Sequence, residues 1–291
     1  MAATPPQVLI MPNSIGIIAL DLDGTLLNSN KELTPGNRTA LERAAAAGIE
    51  IVPTTGRFFD AMPEVIRKLP FVRYAITING AEVRDLHTGQ VLYQAEMPWQ
   101  QVVEMMGELD QYGVVYDCFM GNAAYMTGEL KKLIDSTVSS PHYRKMLHEL
   151  RQSVPELKEY LAQQQKNVQK VQFFSPDEAL RRRLLKELPE RYENIYASSS
   201  VSDNVEFNQI HANKGEALMV LADHLGVAHD ATMAFGDGLN DLSMIADAGV
   251  GVAMANACDE AKELADYITL SCDEDGVAHG IHRFCFAEAS I

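Results

Sequence analysis

The chain's most constraining feature is a short apolar run, Ile15–Leu20 (IGIIAL), that ends abruptly on Asp21-Leu22-Asp23-Gly24-Thr25. An unbroken apolar run of this length suits a strand buried on both faces, as in a parallel sheet sandwiched between helices. Open parallel sheets bind ligands where their strands end at the carboxyl edge. Asp21 and Asp23 can share one site beyond that edge, and Gly24 lets the chain turn sharply away. Two carboxylates so close repel, and at least one needs a cation or a proton. A hard metal ion or an acid/base division of labour would meet that need; a solvated loop with a helix cap is the plain alternative.

The same rhythm continues. Thr34-Pro35 opens a helix that runs through Ala47 and stops at Gly48. A strand follows at Ile49–Val52, a helix from about Phe59 to Leu69, and a third strand at Tyr74–Ile78. This order predicts a parallel sheet with right-handed crossovers. The far end resumes it: a helix over Lys214–Leu225 ending at Gly226, strands at Ala231–Phe235, Val250–Ala253 and Tyr267–Leu270, helices at Leu239–Ala246 and Asp259–Ala265. Between them the helical stretches are longer and more polar (Gln100–Tyr112, Leu130–Leu161, Asp177–Glu187). Strands there are expected at Val114–Phe119, Ala123–Met126, Val168–Phe174, Asn194–Ser198 and Val205–Asn208. The expectation is an α/β core built from residues 14–85 and 209–291, an inserted α+β domain over 86–208, and a loose tail over 1–13.

Polar motifs recur at the predicted strand ends. Thr54-Thr55-Gly56-Arg57 offers a hydroxyl, backbone N–H groups and a charge suited to phosphate oxygens, although a helix cap explains it equally well. Asn79-Gly80-Ala81 stands at another strand end. Gly236-Asp237-Gly238-Leu239-Asn240-Asp241 brings two carboxylates and an amide, oxygen donors that suit Mg2+; an ordinary turn is the alternative. Lys214 sits at a helix start, against the usual dipole preference, which is tolerable if its ammonium points into an acidic site. Together these groups match a phosphate and a metal ion far better than each does alone.

The formal charge of −16 makes nucleic acid and anionic membrane poor partners, so any anion site must be locally positive. No apolar stretch approaches the roughly 20 residues of a membrane span. The four cysteines have no CxxC spacing and the N-terminus has no signal-peptide pattern, which suits a cytoplasmic protein. Gly249-Val250-Gly251 is read as strand and turn, not a dinucleotide loop, and Arg181-Arg182-Arg183 as a solvated helix face. His142 and His148 are read as surface residues. Asp117, His142, Tyr143, Arg144 and Lys170 are left between site and solvent.

DLDGT (21–25), TTGR (54–57), Lys214-Gly215 and GDGLND (236–241) resemble the four motifs of the haloacid dehalogenase superfamily. The NGA triplet at 79–81 and the insertion after the third strand resemble its Cof-type branch, with a C2B cap. The resemblance covers essentially the whole chain after the tail. It implies a Rossmann-like parallel-sheet core with an inserted α+β cap, and a Mg2+-dependent phosphatase acting on small phosphorylated metabolites through an aspartyl-phosphate. Position by position, it implies Asp21 as nucleophile and Asp23 as general acid/base. Metal ligation is implied for Asp21, Asp23 (by its backbone carbonyl), Asp237 and Asp241. Phosphate contact is implied for the Leu22 backbone, Thr55, Gly56, Lys214 and Asn240, and the substrate entrance for Arg57, Asn79 and Gly80. The chain departs from the pattern at His211-Ala212-Asn213 before Lys214, and at Ala255, where a glycine is common. A phosphomannomutase-like phosphotransferase and a non-catalytic binding protein on the same scaffold are the alternatives. Monomer and homodimer are both open.

Overall fold

The computed structural model describes residues 15–286, so the expected tail over 1–13 lies outside the described residues. β1 (Ile17–Leu20) leads through α1 (Pro35–Ala46), capped by the Thr34 side chain, to β2 (Glu50–Pro53). The single helix expected from Phe59 to Leu69 is broken. A 3-10 turn spans Phe59–Ala61, Met62 adopts an extended conformation ahead of Pro63, and only α2 (Glu64–Arg67) follows. β3 (Tyr74–Thr77) then pairs antiparallel with β4 (Glu82–Asp85), and β4 with β5 (Val91–Gln94). The third strand thus meets β2 only through a parallel bridge, Thr54–Ile76, and turns into a hairpin rather than continuing the parallel sheet.

The middle of the chain runs α3 (Trp99–Asp110), β6 (Val115–Phe119), β7 (Ala124–Thr127), α4 (Gly128–Thr137), α5 (Pro141–Leu150), β8 (Arg151–Val154), α6 (Leu157–Gln164), β9 (Lys170–Phe174), α7 (Glu178–Arg191), β10 (Ile195–Ser198) and β11 (Asn204–Gln209). The long helix expected over Leu130–Leu161 is therefore three helices and a strand. Pro141 opens a new helix capped by Ser140, and Arg151–Val154 pairs parallel with β7. The strands form one six-stranded sheet in the order β10-β11-β9-β6-β7-β8. Its period-two alternation divides two faces. Tyr116, Cys118, Val171, Phe173, Val205 and Phe207 pack with apolar residues of α3, α6 and α7. Their alternates include Asp117, Lys170, Gln172, Glu206 and Asn208, all buried.

The chain returns through α8 (Lys214–Leu225), β12 (Thr232–Gly236), α9 (Leu242–Asp247), β13 (Val250–Ala253), α10 (Asp259–Leu264), β14 (Tyr267–Ile268) and α11 (Gly276–Cys285). α11 was not foreseen. Its Val277, Ala278 and Ile281 enter the main core, an i, i+4 spacing short enough to escape notice. The sheet order is β14-β13-β12-β1-β2, every pair parallel. β1 lies between β12 and β2 and alternates: Ile18 and Leu20 face the core that holds α1 and α11, whereas Ile17 and Ala19 face the α8 side. Register pairs Leu20 with both Pro53 and Phe235, so the residues after β1, β2 and β12 emerge at one edge.

Candidate active site

Asp21 is the first residue beyond β1, and its N–H donates to the Phe235 carbonyl at 3.0 Å, tying the ends of β1 and β12 together. Gly24 turns the chain back at φ +100°, where a Cβ would lie 2.5 Å from Asp237 Oδ2, so no side chain fits there. Carboxylate oxygens of Asp21, Asp237 and Asp241 all lie within 4.8 Å of one another. Lys214 is fully enclosed, its Nζ donating to Asp21 Oδ1 and to Asp241 Oδ1 at 2.6 Å each. The other oxygen of Asp241 accepts the N–H groups of Asp237 and Gly238 at 2.9 Å each. Thr25 Oγ1 donates to Asp237 Oδ1 at 2.7 Å.

Three carboxylates thus share one ammonium. Burial drives the Asp21 carboxyl well above its ordinary range; Lys214 opposes the rise, and Asp241 and Asp237 add to it. Asp237 is pushed up to about 7 by burial and by the charge of Asp241. Burial alone would lower the Lys214 ammonium, but the two carboxylates raise it above its usual value. This surplus of hard oxygen donors over cations fits a divalent ion such as Mg2+, held by Asp21, Asp237 and Asp241. A raised carboxyl stabilises the fold fully below its ordinary value, and that contribution is lost as pH climbs through about 7 for Asp237. Mg2+ should therefore raise Tm by at least about 3 °C at pH 8 and by less than half as much at pH 5, read by melts with and without chelator. Equal shifts at both pH values would contradict this electrostatic account.

The Asp23 carboxylate stands outside the cluster. Arg57 clamps it with two bonds, Nε to Oδ2 at 2.8 Å and Nη2 to Oδ1 at 2.9 Å, and Lys31 Nζ adds a third contact at 3.0 Å. Burial raises its carboxyl, yet Arg57 and Lys31 outweigh that and hold it below its ordinary value. Its contribution to stability persists above the usual carboxylate range and is lost on acidification.

A cavity of about 170 Å³ opens over these groups, bordered by Asp21, Asp23, Thr55, Gly56, Asp237 and Asn240. Asp241 and Arg57 also border it, and Ser140, His142, Tyr143 and Ser200 reach it from the middle of the chain. Other expected site residues do not border the cavity. The Leu22 side chain is buried in the main core, leaving only its backbone for the expected contact, and Lys214 is enclosed against Asp21 and Asp241. Asn79 and Gly80, expected at the entrance, do not border the cavity. Asn79 is buried, accepting from Asn240 Nδ2 at 3.2 Å and donating to Glu206 Oε2 at 2.6 Å. Gly80, at φ +97°, lies so close to the start of α8 that a Cβ would be 2.2 Å from the Asn213 carbonyl. The tight turn after β3 tucks both beneath that helix.

Among the residues left undecided, His142 and Tyr143 reach the cavity, with His142 Nε2 3.5 Å from Arg57 Nη2. His142, read as a plain surface residue, is exposed but faces the mouth. Asp117 is buried against Arg151, and Arg144 bonds the Asp135 carbonyl. Lys170 is buried and reaches the Gly56 carbonyl at 2.8 Å. Lys31, Ser140 and Ser200 were missed, since nothing in their local sequence sets them apart. Thr25 lay inside the DLDGT motif and only lacked an assigned role.

The family model for haloacid dehalogenase-like hydrolases matches residues 18–281. Phosphatase YwpJ of Bacillus subtilis is 34% identical over 288 residues, covering 90% of this chain and 97% of the relative. The 5-amino-6-(5-phospho-D-ribitylamino)uracil phosphatase YcsE of the same organism is 32% identical, covering 93% and 96%. Among solved structures, a haloacid dehalogenase-like hydrolase from B. subtilis superposes with a TM-score of 0.82 at 30% identity, covering 92% of this chain and 99% of that one. Among the described residues, no helix is long and apolar enough to cross a membrane.

Proposed function

The chain belongs to the haloacid dehalogenase-like hydrolases and is a phosphoester hydrolase, and we propose that it cleaves a small, polar phosphomonoester through an aspartyl-phosphate on Asp21. The observation that carries this reading is the clasp of Lys214 between Asp21 and Asp241, with Asp237 beside them. It keeps a carboxylate oxygen at the cavity wall in a site that already calls for a second cation.

In this reading an Asp21 oxygen attacks phosphorus, forming the new P–O bond as the bond to the leaving oxygen breaks. Lys214 holds Asp21 in place and favours its ionised form against the burial that opposes it. The Thr55 hydroxyl, the N–H groups of Leu22 and Gly56, and the Asn240 amide orient the phosphate oxygens. Mg2+ would be held by Asp21, Asp237, Asp241 and the Asp23 carbonyl; when bound, it supplies positive charge that screens the incoming phosphate. Asp23 protonates the leaving oxygen, then takes a proton from the water that hydrolyses the phosphorylated Asp21.

The clamp by Arg57 and Lys31 favours the base form of Asp23, so its acid role competes with those contacts. Arg57→Met should raise the Asp23 carboxyl. The descending limb of kcat/KM against pH then moves about one unit to higher pH. An unmoved limb would separate Arg57 from the proton transfer.

The inserted unit, expected over residues 86–208, is proposed to close over the site and read the leaving group. Because β5 (Val91–Gln94) pairs with β4, we place its start after β5 rather than at residue 86. The polar border of the cavity favours a hydroxylated or charged leaving group, such as a sugar phosphate or phosphorylated cofactor. The naming of YcsE for a phosphorylated ribityl compound supports that class. The test is release of inorganic phosphate from a panel of phosphorylated sugars and cofactors, with Mg2+ and then with chelator. Phosphate release that needs Mg2+ is expected; failure on every ester, or movement of the phosphoryl group to a second hydroxyl without its release, would overturn the reading.

A further inference from the structure

Lys170 on β9 and Glu206 on β11 form an ion pair at 3.0 Å with side chains 2% and 1% exposed. They stand on the face of the six-stranded sheet opposite its apolar packing. Glu206 Oε1 also accepts from Ser200 Oγ at 2.9 Å and from Asn204 Nδ2 at 3.1 Å; two further bonds lead out of that sheet. Lys170 Nζ donates to the Gly56 carbonyl at 2.8 Å, and Glu206 Oε2 accepts from Asn79 Nδ2 at 2.6 Å. Asn79 Oδ1 in turn accepts from Asn240 Nδ2 at 3.2 Å. Two residues that border the cavity, Gly56 and Asn240, are thereby tied to one buried pair on the other sheet.

The segment between them is strained. Ile78 and Asn79 are both left-handed, at φ +53° and +59°, and a β-branched residue there is a genuine outlier. Asn208, also on β11, holds this turn by donating to the Ile78 carbonyl at 3.3 Å, while its Oδ1 accepts from Asn79 at 3.2 Å. Space is equally tight at Gly56, where a Cβ would lie 2.6 Å from Asn79 Oδ1. A buried ion pair rarely contributes more stability than an apolar pair of similar volume, because desolvation offsets the attraction. Stability alone therefore does not account for two charges at this junction.

We propose that Lys170 and Glu206 are positioning residues for phosphoryl transfer: docked on the core, the pair sets the Gly56 backbone and, through Asn79, the Asn240 amide. The phosphate-orienting groups are then correctly aimed only while β9 and β11 are seated on the loops after β2 and β3. This rests on the phosphatase reading, which wild-type turnover of p-nitrophenyl phosphate with Mg2+ tests independently.

Removing one charge strands the other, so Glu206→Leu alone should lower both Tm and kcat. The double variant Lys170→Met/Glu206→Leu removes both charges and should recover a Tm near wild type. Its kcat for p-nitrophenyl phosphate should nevertheless stay at least about 10-fold down, with a smaller change in KM. Asn79→Gly, which tolerates the positive φ and cuts the link without touching a charge, should lose a similar factor, and adding it to the double variant should lower kcat by less than about 2-fold further. A double variant with wild-type Tm and wild-type kcat would overturn the proposal. If the double variant does not fold, a folded Asn79→Gly protein with undiminished kcat overturns it equally.

Discussion

Asp21→Asn is expected to lower turnover by on the order of 10⁴-fold or more while the protein stays folded. An amide of nearly the same shape keeps an acceptor for the Lys214 ammonium but loses the anionic oxygen that would attack phosphorus. The fold should tolerate the change because the Asp21 charge is unfavourable where it stands: burial and the neighbouring Asp237 and Asp241 hold its carboxyl well above the ordinary range. In chelator, the variant should melt at or above the wild-type temperature, with the gap widening as pH rises. Phosphate release and melting curves on the same preparations check both halves. Wild-type-like hydrolysis would remove Asp21 as nucleophile, and an unfolded variant would mean the carboxylate is needed for structure.

Lys214→Met should damage both activity and stability. The ammonium is fully buried and is the cation that directly bonds both Asp21 and Asp241. Without it, the remaining carboxylates face one another in a largely buried site, and breaking a buried pair by removing one partner costs about 3–5 kcal/mol. The penalty should be smallest near pH 5, where the carboxyls take up protons, and largest above pH 7. Mg2+ should restore part of the lost Tm, because it neutralises the same carboxylates. It should not restore kcat, which should stay at least about 100-fold down because Asp21 is no longer oriented. Full recovery of turnover by Mg2+ would show that Lys214 only neutralises charge. A Tm loss of similar size at pH 5 and pH 8 would argue for a packing role instead.

Much of this site was legible because it lies at strand ends. An apolar run followed by Asp21, another by Thr54-Thr55, and a third by Gly236-Asp237 become neighbours once β1 pairs in parallel with β2 and β12. The helix broken at Pro63 was misread because its flanks carry helical spacing, and the one over 130–161 because its breaks fall between amphipathic pieces. β4 and β5 escaped because a short hairpin half exposed on its outer strand has no long apolar run.

The sequence by itself determined the parallel sheet, the burial of β1 within it, and the carboxylates that would meet at its edge. Those follow from local periodicity and from motifs only a few residues long. Tertiary structure alone decided the partners of Asp23 and Glu206, whereas the acidic surroundings of Lys214 were already read from its place at a helix start. Asp23 is clamped by Arg57, 34 positions away, and Asn79 is held by Glu206, 127 positions away. Such pairings depend on how two sheets dock, and a side chain carries no local mark of the distant group that will neutralise it.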